Sequence, residues 1–241
     1  MTSATYDPSD QFQKETLRKV TWRLVPMLTL MYTTAYLDRI NIGTAALTMN
    51  QDLGMSQAMF GLAGSLFLVG YFLLEIPSNI AFVRFGARVW LTRIMISWGL
   101  ISCLTAFVQT PGQLIAVRVA LGIAEAGFFP GLILYIAMWF PKEVRGRVFF
   151  LCTLPFAVVL GAPASTALIQ YTDGWFGFSG WRVMLFLEGI PPILLGLVTA
   201  RYLTSLPSQA MWLTQRQRAW LESVAEVGSG AKHSVRDSLR L

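Results

Sequence analysis

The sequence predicts an all-α membrane protein, a bundle of six spanning helices. Three observations carry this. Hydrophobic residues make up 54% of the chain and charged residues only 13%, against about 25% charged in a typical soluble domain. In water, so few charges would leave large apolar patches. Six segments reach the ~20 mostly apolar residues that cross a ~30 Å hydrocarbon core. Finally, Lys and Arg fall in short clusters between those segments. That pattern follows the positive-inside rule, and it excludes nucleic acid as the reason for the net charge of +6.

The expected spans are Leu24–Ala46, Phe60–Val83, Trp90–Val108, Gln113–Phe140, Val148–Tyr171 and Trp181–Leu203. The first is the least typical, because Asp38 and Arg39 interrupt it. Lys14, Arg18, Lys19 and Arg23 precede it with no small-residue cleavage site. This reads as an uncleaved span whose N-terminus stays inside. The fourth is long for one crossing, so its inner end is expected to run past the hydrocarbon. Pro155 and Pro163 are expected to bend the fifth. Inner loops then hold Arg84, Arg88 and Arg93, followed by Lys142, Arg145 and Arg147. Outer loops hold almost no basic residues, which places both ends of the chain in the cytoplasm.

Three regions follow. Residues 1–22 are a cytoplasmic tail, 23–205 the bundle, and 206–241 a cytoplasmic loop. In that loop Thr214 is expected to cap a short amphipathic helix over Gln215–Glu226, lying on the membrane surface or in solvent. Gly228–Gly230 reads as a linker. Glycines within the spans, among them Gly61, Gly64, Gly70, Gly99 and Gly122, predict close helix approach. The pair Gly127 and Gly131 reads as packing.

Several chemistries find no residues. Cys103 and Cys152 lie inside apolar segments and the single histidine, His233, sits in the polar tail. No metal site or cofactor follows from that set. No phosphate loop of the GxxxxGK[ST] kind occurs. Nothing supplies an enzyme's nucleophile.

Ionisable groups inside a membrane cost a few kcal/mol each on insertion scales. Six fall within the spans: Asp38, Arg39, Glu75, Arg118, Glu125 and Glu188. At 1.5 Å per residue, Asp38 sits roughly 21 Å above the inner end of its helix. Arg118 and Glu125 lie about 8 and 18 Å below the outer surface of theirs. This predicts a network in which Asp38 approaches Arg118 and Arg39 meets Glu125. A guanidinium makes forked contacts with carboxylates, and buried carboxyls exchange protons, so one network offers an anion site and a proton site. Glu75 and Glu188 read as structural ion pairs or helix-end contacts.

At these residues a family resemblance enters. Tyr36-Leu-Asp-Arg-Ile-Asn-Ile42, Glu75-Ile-Pro-Ser-Asn79, Arg84-Phe-Gly-Ala-Arg88, the run from Arg118 to Pro130 and Trp139-Phe-Pro141 resemble the anion:cation symporter branch of the major facilitator superfamily. The wording is similar to bacterial tartrate, phthalate, nicotinate and hydroxyphenylacetate carriers.

The resemblance implies a twelve-helix fold made of two six-helix halves. This chain supplies the N-terminal half, itself two inverted three-helix repeats. The stretch His233–Leu241 looks like the segment before a seventh helix, so a C-terminal half is the expected missing partner. By resemblance, Asp38 and Glu125 are the proton-coupling residues. Arg39, Tyr36, Tyr71 and Arg118 contact the substrate, and Arg84, Gly86 and Arg88 belong to an inner-loop gate. That gate departs from the family pattern at Asn79 and Val83. On the fifth helix, Phe156 stands where sugar-acid carriers have glutamine, which argues against a polyhydroxylated sugar acid. The antiporter pattern is only partial at Gly161-Ala-Pro163. The implied function is proton-coupled symport of a small organic anion across the inner membrane by alternating access. Efflux by antiport, or an inactive truncated half, are the alternatives.

Overall fold

The computed structural model describes residues 7, 9–154 and 156–224, without side chains for 156–158 and 160. Pro155 and the stretch from residue 225 to the end, including the Gly228–Gly230 linker and His233–Leu241, lie outside the described residues, as does the Phe156 side chain. Nine α-helices and two 3₁₀ turns form among the described residues, with no strand. They are α1 (Gln11–Asp52), α2 (Gln57–Phe85), α3 (Ala87–Thr105), α4 (Pro111–Glu125), α5 (Phe128–Trp139), α6 (Lys142–Cys152), α7 (Phe156–Thr172), α8 (Gly180–Tyr202) and α9 (Gln215–Val224). The six predicted spans correspond to α1, α2, α3, α4 with α5, α6 with α7, and α8.

Among the described residues, α2, α3, the pair α4–α5 and α8 are long and apolar enough to cross a membrane. The segment from Leu24 in α1 carries Asp38, Arg39 and a run of Thr and Tyr that lower its hydropathy. Helix α1 starts well before the expected Leu24. Asp10 caps it, its carboxylate accepting from the backbone N–H groups of Phe12 and Gln13. At 1.5 Å per residue its 42 residues span about 63 Å, twice a bilayer core.

The fourth span was expected to run on past the hydrocarbon at its inner end. It breaks between α4 and α5, where Gly127 adopts φ 84°. That left-handed conformation is inexpensive only for glycine. The break frees the Ala126 carbonyl, which accepts a 2.6 Å hydrogen bond from the Ser78 hydroxyl. Trp90 Nε1 in turn donates to Ser78 at 2.9 Å, and Arg93 donates to the Ala124 carbonyl at 3.3 Å. Residues of α2 and α3 therefore hold the break closed.

Helix packing repeats itself. The spans in contact are first with fifth, second with fourth, third with sixth, first with sixth, third with fourth, and neighbours first with second, fourth with fifth, second with third and fifth with sixth. Exchanging spans one, two and three for four, five and six maps this set onto itself. Because each triplet crosses an odd number of times, the second runs opposite to the first. The tightest seam joins α3 to α8. A Cβ on Gly99 would sit 2.8 Å from the Gly189 carbonyl oxygen, and one on Gly189 would sit 2.8 Å from the Cys103 nitrogen. Gly70 of α2 faces the Val119 carbonyl of α4 in the same way. By contrast, Gly61 and Gly64 face open space, so those two expected packing positions are not used within this chain.

Two apolar clusters fill the interior. The larger runs from Leu17 to Ala35 on α1, through Trp98, Phe128, Tyr135 and Trp139, to Leu213 and Leu221. The smaller joins Ala45, Met49, Leu114, Trp181 and Met184 at the opposite end. There Asp52 accepts from Ser179 at 2.6 Å and from Trp181 Nε1 at 2.7 Å. These bonds, Ser179's first, hold its carboxyl below the ordinary value of 3.8.

Helix α9 carries the expected Thr214 cap. Gln217 N–H donates to the Thr214 hydroxyl at 3.2 Å, and Thr214 N–H donates to the Gln217 side chain at 3.1 Å, a reciprocal capping pair. Its apolar face packs on the bundle rather than standing free. Leu221 is fully buried, Trp220 meets Phe12 edge-on, and the preceding Trp212 stacks on Trp139 at 5.7 Å.

Candidate functional site

Between the two apolar clusters lies a polar layer. Along α1 the large cluster ends at Ala35 and the small one begins at Ala45. The gap holds Asp38, Arg39 and Asn41. On α4 it holds Arg118, on α3 Ser102, and on α8 Glu188, with Glu125 at the end of α4. Packing two hydrophobic plugs above and below leaves these polar side chains with one another as partners.

Arg39 and Glu125 meet as the sequence predicts. Arg39 Nη2 donates to Glu125 Oε1 at 2.6 Å. The Glu125 side chain is fully buried while that of Arg39 is 43% exposed. One edge of the guanidinium is thus anchored and the rest is open. Tyr71 of α2, itself buried, lies with its ring centroid 5.6 Å from the Arg39 guanidinium carbon. Chemically this is a fixed, partly exposed cation suited to a carboxylate.

The second predicted pair forms only as an approach: the Asp38 charge acts on Arg118 without an ion pair among the described residues. Asp38 is buried and accepts a 2.6 Å hydrogen bond from the Ser102 hydroxyl. Arg118 instead stacks its guanidinium 4.6 Å over the Phe67 ring and lines a cavity of about 20 Å³ with Ile42, Phe60, Ala63, Gly64 and Leu114.

Glu188 also departs from expectation. It accepts from Ser165 at 2.7 Å and forms no ion pair among the described residues. Glu75 forms none either and is partly exposed on α2. Tyr36 stacks on Tyr32 with centroids 6.0 Å apart, one helical turn before Arg39 on the same face. Arg84, Gly86 and Arg88 lie together at the α2–α3 turn. Gly86 has φ 86°, Arg88 N–H donates to Ser205 at 3.1 Å, and the turn lines a cavity of about 380 Å³.

Sequence reasoning missed Ser102, Ser165, Asn41 and Ser78. A lone hydroxyl in an apolar span carries little signal. Asn41, one turn from Asp38 on the same helix face, was the readable clue.

Comparison with known proteins matches this arrangement to a family. The chain is 45% identical over 233 residues to a protein of Agrobacterium vitis named as a candidate tartrate transporter, covering 96% of this chain and 54% of that one. It is 39% identical over 214 residues to a quinolone resistance transporter of Acinetobacter baumannii, covering 88% of this chain and 49% of that one. A bacterial homologue of the human lysosomal transporter Spinster has the same fold, with TM-score 0.68 at 24% identity, covering 76% of this chain and 44% of that one. The chain therefore spans about half the length of the relatives it matches. Residues 28–237 match the family model, and the chain belongs to the Major Facilitator Superfamily.

Proposed function

We propose that this chain forms one half of a secondary transporter that carries a small organic anion, tartrate-like or an aromatic carboxylate, together with protons. The observation that carries the reading is Arg39, half exposed yet anchored on the fully buried Glu125. Arg39 is the anion contact, with Tyr36, Tyr71 and Arg118 around the substrate. Asp38 and Glu125 are the proton carriers, and the turn of Arg84, Gly86 and Arg88 belongs to the gate.

The basic loops face the cytoplasm and the membrane is the inner one, following the charge distribution. Residues 1–22 and 206–241 then lie on the cytoplasmic side of the bundle formed by 23–205. The partner is a second six-helix half. Exposed apolar residues on α2, among them Leu68, Phe72, Leu73 and Ile76, supply a surface for it or for lipid.

The test is uptake of radiolabelled tartrate and benzoate by full-length protein in liposomes. Accumulation when the outside is acid, lost in Arg39→Ala, is the expected result. Absence of acid-driven accumulation for every carboxylate tried overturns it. A second reading, efflux by antiport, is favoured by the similarity to the quinolone resistance transporter. It predicts proton release coupled to quinolone movement in the same liposomes.

A further inference from the structure

Among the described residues, Glu188 is the one buried acid that the proposed function does not use. Its surroundings are unusual. The residue is 8% exposed, and its neighbours Asn41 and Asp38 are 1% and 5% exposed. Ser165 of α7 satisfies Oε1, while Oε2 is fully buried with no hydrogen-bond partner. The Asn41 side-chain nitrogen, also buried, lies beside Glu188 as a neutral donor within reach of it.

Among the described residues, the helices packed on α8 at this level bring no cation to Glu188. From α1 comes Asp38, the charged group that acts on Glu188. From α3 come Ser102, committed to Asp38, and the Cys103 thiol, which points at the Phe186 carbonyl at 3.4 Å. From α7 comes only the Ser165 hydroxyl. Arg39 is taken by Glu125, and Arg182 donates to the Ala106 and Val108 carbonyls.

Arg118 of α4 acts on Asp38, so the buried acid of this layer that no described cation faces is Glu188, and a buried carboxylate without a cation is costly. Like charges disfavour each other, and burial disfavours each separately. One positive charge must enter, and the smallest carrier is a proton on the free Glu188 oxygen.

We propose that Glu188 of α8 is a buried-carboxyl proton site, a third proton-carrying group beyond Asp38 and Glu125. The proton binds at Oε2 and leaves from it. One negative charge is neutralised on binding and restored on release, and no other bond changes. The link to transport rests on the proton coupling proposed above, but the site itself does not.

The test separates the two. Infrared spectra of full-length protein in lipid, recorded across a pH titration without substrate, follow the carboxylic C=O band. Wild type is expected to show a titrating band that is lost in Glu188→Gln. An identical spectrum in that variant overturns the proposal. Ser165→Ala, which removes the hydrogen bond to Oε1, is expected to move the band's midpoint. An unmoved midpoint overturns the proposal even if Glu188→Gln does not fold. A band that responds to sodium at fixed pH, rather than to pH, also overturns it. In anion-binding assays, Glu188→Gln is expected to lose one proton from the linkage between pH and affinity. If no anion binds, the transport reading fails while the infrared result still decides Glu188.

Discussion

The Ser78 hydroxyl of α2 donates to the Ala126 carbonyl of the broken fourth span at 2.6 Å, one residue beyond Glu125. Removing that hydroxyl leaves a fully buried carbonyl without its partner and takes the acceptor away from Trp90 Nε1. Ser78→Ala is expected to cost about 1–3 kcal/mol. Thermal unfolding in detergent measures it, and amide exchange is expected to rise around 124–128 before it rises elsewhere.

Glu125 depends on Arg39 for its neutralisation. Arg39→Ala leaves a fully buried carboxylate unpaired, which is expected to cost about 3 kcal/mol, the low end for a broken buried pair because Arg39 is half exposed. Adding Glu125→Gln removes the stranded charge, so the double variant is expected to be more stable than Arg39→Ala alone. A double-mutant cycle on unfolding temperatures checks this; strict additivity contradicts it.

Asp52 ties α1 to α8 through Ser179 and Trp181. Its carboxyl is held below the ordinary 3.8 in the folded state. A depressed value favours the fold above the unfolded value, and the advantage disappears as pH falls through the folded one. The stability gap between wild type and Asp52→Asn is therefore expected to be full near neutrality and to close below about pH 4. Unfolding temperature against pH for both proteins measures the gap, and a constant gap refutes it.

Two glycine substitutions give opposite signs. Gly99→Ala drives a methyl to 2.8 Å from the Gly189 carbonyl oxygen, and overpacking of this kind typically costs about 1–3 kcal/mol. Gly61→Ala meets nothing within 4 Å and gains up to about 1 kcal/mol from helix propensity. Unfolding midpoints of the pair are expected to move in opposite directions.

The spans were legible because a bilayer demands long apolar runs, and a charge within one is conspicuous. That is why Asp38, Arg39, Arg118 and Glu125 stand out in the sequence and why the Arg39–Glu125 contact followed from helix arithmetic. The partner of Asp38 was not legible. Ser102 is one small hydroxyl on another helix, and depth arithmetic fixes height but not rotation about the helix axis. The break after Glu125 was hidden for a related reason. Gly127 sits among many span glycines, and only the backbone shows which one turns left-handed. Trp212 and Trp220 suit a membrane surface and a helix-docking face equally, so the packing of α9 against the bundle needed coordinates.

The α3–α8 seam has a mechanical consequence. Carbonyl oxygens fill the spaces where glycine Cβ atoms are absent, so the two helices cannot slide or roll against each other without collision. They act as a keel. Asp38 hangs from it through Ser102, and Glu188 is built into it, so these acids keep their spacing whenever the bundle tilts. Gly70 against the Val119 carbonyl locks the α2–α4 seam in the same way, so compliance is left to the break after Glu125, where Ser78 and Arg93 bridge the fourth span.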